Sequence, residues 1–140
     1  MKKLFACGVG AGLLAVAALA AEHEHAYEKA ATSRDLMAYV QKPAMDSLAA
    51  MKKAGGPQNI DDWKLSNASA SLLVETTQLM MMGGRVKDEA WENGAQQVID
   101  AGKQAMTASM RQDVEGWNQA LAGLGQGCRA CHTVHKPKKQ

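Results

Sequence analysis

The sequence predicts an all-α fold, an antiparallel four-helix bundle. Beyond residue 20 the chain is rich in Ala, Met, Leu, Gln and Lys and poor in β-branched and aromatic residues, which is helix composition. Its breaks, Gly55-Gly56-Pro57, Gly83-Gly84 and the polar Arg111-Gln112-Asp113, fall at wide, similar intervals and leave four long segments. Within those segments apolar residues recur at steps of three and four. Four amphipathic helices joined by short loops pack most simply as an antiparallel bundle. A three-helix arrangement with the first segment left out is the competing expectation.

The first segment runs from about Thr32 to Lys53, and Pro43 inside it should kink or interrupt it. The second runs from about Asp61 to Met82, with Asp61 as N-cap and Gly83 just past its end. It has two apolar sides: Leu65, Ala68, Leu72, Leu79 and Met82 on one, Ala70, Leu73, Thr77 and Met81 on the other. The third runs from about Asp88, its cap, to Met110, with a stripe through Trp91, Ala95, Val98, Gly102, Ala105 and Ser109. The fourth runs from Asp113, its cap, to His135, with Pro137 beyond. Val114, Trp117, Leu121, Leu124, Cys128 and Cys131 form its stripe, so the two cysteines take the last two core positions. Gly123, Gly125 and Gly127 weaken this helix intrinsically. Close approach of a backbone or a cofactor would offset that; a frayed turn is the alternative.

Residues 1–20 read as a cleaved secretory signal. Lys2 and Lys3 precede a small apolar stretch that ends in Ala18-Leu19-Ala20, an A-x-A site. The stretch is too short and too weakly apolar for a convincing membrane span, and a lipoprotein reading through Cys7 would leave almost no apolar region before the cysteine. Residues 21–31 read as a loosely ordered polar tail, and 32–140 as the single folded domain. Cleavage removes Lys2 and Lys3, leaving 14 basic against 14 acidic residues and no pointer to a nucleic-acid partner. The basic tail Lys136, Lys138 and Lys139 reads as a solvated end. After cleavage His23 and His25 lie near the new N-terminus, where Ala21-Glu22-His23 could hold Cu(II) or Ni(II) in a square plane; a plain polar tail is the simpler reading.

Of three cysteines, loss of Cys7 leaves two, both in Cys128-Arg129-Ala130-Cys131-His132. C-x-x-C-H is the attachment signature of a c-type haem: two thioethers to the macrocycle and the adjacent imidazole as proximal iron ligand. Residues three and four apart share a helix face, so one turn presents both thiols and His132 together. A zinc site would need further ligands from His135, His23 or His25, and a thioredoxin-like dithiol would need a βαβ context that the chain lacks. Export to an oxidising compartment, the periplasm in bacteria, agrees with the motif.

What fills the other axial position decides function. Eight methionines remain after cleavage, and most read as core filler, the Met80-Met81-Met82 run included. Met37 follows Arg34 by three residues, so a methionine at the iron and an arginine reaching the haem propionates would share one face. Met45 is a lesser candidate.

With Cys128-Arg129-Ala130-Cys131-His132 at the C-terminal end, four helical segments and Arg34-Asp35-Leu36-Met37 on the first, the chain resembles the class II c-type cytochromes, the cytochrome c′ superfamily. The second half also resembles a less-characterised branch of it through Asp62-Trp63, Val74-Glu75 to Leu79-Met80, Trp91 and Ile99-Asp100-Ala101-Gly102. The resemblance implies a bundle with one covalent haem near the end of the fourth helix, and often a homodimer through the first two helices. In familiar members the arginine and the distal methionine are usually four apart; here they are three apart, which leaves Leu36 as an alternative residue facing the iron.

The leading expectation is a periplasmic electron carrier, not an enzyme, with unidentified redox partner proteins and no stable membrane anchor. The alternative, of a different class, is a five-coordinate protein that binds small gases such as NO or CO. A haem peroxidase is a third, weaker reading, since no distal His or catalytic Arg is placed by sequence.

Overall fold

The computed structural model describes residues 27–135. It is all-helical there, with four helices packed as a bundle and no strand among the described residues. The first, α1, covers residues 33–53 as one unbroken run: α-helical Ser33–Leu36, a π-helical turn Met37–Gln41, and α-helical Lys42–Lys53. Then come α2, Ile60–Leu79; α3, Glu89–Arg111; and α4, Val114–His135. The signal segment, Cys7, His23 and His25, and the tail lysines 136, 138 and 139 lie outside the described residues.

Pro43 does not interrupt α1. It has no N–H, and its ring crowds the carbonyl four residues back. The chain answers with the wide turn just before it, in which the Lys42 N–H bonds the Met37 carbonyl five residues back. Upstream, Thr32 and Asp35 form a reciprocal capping box: Thr32 Oγ1 accepts the Asp35 N–H at 3.1 Å, and Asp35 accepts the Thr32 N–H at 3.1 Å. Those bonds, the Thr32 side chain's first, hold the Asp35 carboxyl below its ordinary pKa.

The N-cap of α2 is Asn59, not Asp61. Asn59 is extended, and its side-chain oxygen accepts the N–H groups of Asp61 and Asp62 at 3.0 Å each. The helix ends at Leu79, three residues short of the expected Met82, and Gly83 and Gly84 turn the chain with φ of +61° and +69°. Asp88 and Asp113 cap α3 and α4 as expected, accepting the N–H of Trp91 and of Gly116 at 3.0 Å.

The α3 stripe is buried throughout. On α2 the side carrying Ala70, Leu73 and Thr77 is core; Leu65, Leu72 and Met82 of the other side are exposed. On α4 Trp117, Leu121 and Leu124 are buried, Val114 is exposed, and the two cysteines are half-buried. The helix does not fray at its glycines. A Cβ on Gly127 would stand 2.9 Å from Val98 Cγ2, and one on Gly94 would stand 2.8 Å from Cys131 Cβ. These two glycines let α3 and α4 touch backbone to backbone beside the cysteines.

At the far end of the bundle, Trp117 is fully buried and its indole N–H donates to Ser66 Oγ at 2.6 Å. Ser109 Oγ commits its proton to the Ala105 carbonyl at 2.7 Å, so in the 2.9 Å contact between the two hydroxyls Ser66 is the donor. Trp117, Ser66 and Ser109 thus each have a hydrogen-bond partner, which is the condition for burying them. Trp63 meets the Trp117 ring edge-on at 6.4 Å.

Residues 27–31 are not helical, but they are tied down. Arg85, 5% exposed, donates to the Tyr27 hydroxyl and to the Ala31 carbonyl at 2.8 Å. The expected loose tail is therefore held against the α2–α3 connection over these residues.

Candidate functional site

The near end of the bundle holds a cleft with two chambers. The inner one, about 30 Å³, is walled by all four helices: Met37 and Gln41 from α1, Thr77 from α2, Trp91, Gly94, Ala95 and Val98 from α3, and Gly127, Cys128, Cys131 and His132 from α4, with Met80 at the end of α2. The outer one, about 270 Å³, adds Arg34, Lys42, Lys87 and His135. Met37, Trp91, Cys131 and His132 border both. The five residues singled out from sequence, Arg34, Met37, Cys128, Cys131 and His132, thus meet at one cleft although nearly a hundred positions separate the first from the last. Leu36, the alternative to Met37, lines neither chamber.

Trp91 is the partition between chambers. It is 3% exposed, and its indole N–H donates at 3.1 Å to the Met80 carbonyl, one of the orphan acceptors at the end of α2. The Lys87 ammonium lies 5.1 Å from the ring centroid, and the His135 ring packs edge-on at 5.5 Å. His135 also bonds Asp88, Nε2 to Oδ1, at 2.9 Å. The last turn of α4 is therefore fastened to the first turn of α3, three residues from His132. Asp88 is held below its ordinary pKa, first by the Trp91 backbone N–H and then by His135.

Burial raises the pKa of the Cys128 thiol, helped by the neighbouring Cys131. Burial also raises that of Cys131; Lys87 opposes the shift and Asp88 adds to it. The two sulfurs are free and form no disulfide. Among the described residues no group of three or more His, Cys, Asp and Glu is placed to hold a metal ion.

Four contributors escaped sequence reasoning. Thr77 read only as core, and Gln41 and Lys87 gave no signal at all. His135 was considered only as a zinc ligand; its three-residue spacing from His132 and the recognised cap at Asp88 were the available clues. No described helix is long and apolar enough to cross a membrane. Comparison with protein-family models, curated proteins and solved structures gave no match to this chain.

Proposed function

We propose that this chain is an exported monohaem c-type cytochrome of the class II kind, a periplasmic electron carrier. One observation carries the reading. The C-x-x-C-H turn of α4 borders the same inner chamber as Met37, which comes from α1. The donor set fits a haem: two free thiols able to add across vinyl groups, an imidazole beside them, a thioether from another helix, and mostly apolar walls. The bound group would supply the reversible one-electron couple. Cys128 and Cys131 would tether it, His132 would be its proximal ligand and Met37 its distal one. Arg34 and Lys87, both on the outer chamber, would face its carboxylates. Trp91 and the methionines would keep water from it. The Asp88–His135 bond would fix the angle at which α4 presents His132.

A second reading, a binder of small gases with an open sixth position, draws on the polar pair Gln41 and Thr77 inside the chamber. An absorption spectrum of the purified protein separates the two. A low-spin spectrum with a sulfur-to-iron band at the red end, lost in Met37→Ala, is the expected result. A high-spin spectrum that shifts when NO or CO is added would favour the second reading. Absence of covalent haem from protein exported by a cell with haem-attachment machinery would overturn both.

A further inference from the structure

The inner chamber has one polar wall that electron transfer does not require. Gln41 Nε2 donates to Thr77 Oγ1 at 2.8 Å, and Thr77 Oγ1 donates onward to the Leu73 carbonyl at 2.6 Å. Thr77 has one hydroxyl proton, and it is committed to Leu73. Toward Gln41 it can only accept, which fixes the amide with its nitrogen on the Thr77 side. Thr77 is 1% exposed, so its hydroxyl has no water to turn to. An amide nitrogen carries two N–H bonds, and Thr77 uses one of them.

Position matters as much as chemistry. Met37 opens the π turn and Gln41 closes it, and both border the inner chamber. The wide turn therefore puts an amide on the same wall as the proposed distal ligand. Hydrogen-bond donors in a distal pocket decide which small ligands an iron will take.

We infer that Gln41, aimed by Thr77, is the hydrogen-bond donor to a small exogenous ligand that takes the place of Met37 when Met37 is away, a molecule whose outer atom accepts the amide N–H. Gln41 is then a specificity residue and Thr77 a positioning residue. The inference rests on the haem reading and names the ligand class for that site. A ligand with an accepting outer atom is favoured over one of equal size without it.

The test uses the haem-loaded protein carrying Met37→Ala, which frees the position, with carbon monoxide and cyanide as probes. Covalent haem is checked first on a denaturing gel; its absence sinks the haem reading and this inference together. With haem present, Gln41→Leu is expected to raise the infrared C–O stretching frequency and to weaken cyanide binding to the ferric protein about tenfold, the worth of one hydrogen bond. Thr77→Val is expected to move both in the same direction, and Thr77→Ser, which keeps the hydroxyl, to leave both in place. Unchanged stretch and cyanide affinity in a Gln41→Leu protein with native circular dichroism would overturn the inference while leaving the haem reading intact. Where Gln41→Leu fails to fold, the Thr77 pair decides: identical stretches in Val and Ser would overturn it equally.

Discussion

The two ends of the bundle use the same parts to opposite effect. Each is built around a buried tryptophan whose indole N–H is satisfied: Trp117 by Ser66, Trp91 by the Met80 carbonyl. At the far end the partner hydroxyl passes its proton to a second serine, a second tryptophan seals the contact edge-on, and the helices close. At the near end the partner is a helix-terminal carbonyl, a charged lysine and a histidine flank the ring, and the helices stand open around two chambers. One end is a finished core. The other leaves apolar walls, two thiols and an amide around space that a self-sufficient bundle would have filled. Close-packed interiors seldom leave such space, and the difference marks where the proposed haem would sit.

The comparison can be broken most severely at the thiols. Replacing both Cys128 and Cys131 with alanine is expected to abolish covalent haem outright, read as loss of haem-linked peroxidase staining on a denaturing gel, while the far end keeps the bundle folded. Next in size is the far end itself. Trp117→Ala should cost about 3–5 kcal/mol in urea unfolding, because it empties a filled site and leaves Ser66 without its donor. A neutral result would mean that the closed end is not the stable one.

A smaller contrast sits on α4. Gly127→Ala forces a Cβ to 2.9 Å from the Val98 nitrogen and side chain and should destabilise by about 1–3 kcal/mol. Gly125→Ala meets nothing within 4 Å and should stabilise by about 0.5–1 kcal/mol through helix propensity. Equal effects in thermal unfolding would contradict the close approach of α3 and α4. The smallest expected effect is at Asp88. Its folded pKa lies below the ordinary 3.8, so its contribution is full above that value and is lost as pH falls through the folded pKa. Asp88→Asn should flatten the drop in urea midpoint between about pH 5 and pH 3; an unchanged slope would mean that neither the Trp91 N–H nor His135 stabilises the Asp88 carboxylate.

The fold was legible where helix signals are strong and local. The α3 stripe from Trp91 to Ser109 and the caps Asp88 and Asp113 could be read directly, because periodicity and capping are short-range. Asn59 and Asp61, two positions apart, are equal as caps on propensity; extended backbone at Asn59 decides between them. The two-sided apolar pattern of α2 could not be resolved alone, since only the neighbouring helices determine which side is inward. Of the site, the C-x-x-C-H turn is sequence-local and visible, and Arg34 with Met37 was reachable through helical spacing. Gln41, Thr77 and the Asp88–His135 bond were not, because each pairs residues tens of positions apart, and only folding makes them neighbours.

The wide turn of α1 has a consequence for how this chain tolerates insertion and deletion. A π turn is where a helix stores a spare residue without rotating what lies on either side. Deleting Tyr39, 79% exposed within that turn, would let the helix close to ordinary α geometry while Arg34 and Leu48 keep the faces they have now. The same one-residue loss anywhere in Lys42–Lys53 would swing everything before it by about 100° and carry Met37 off the cleft. Length in α1 is negotiable at Tyr39 and fixed along Lys42–Lys53.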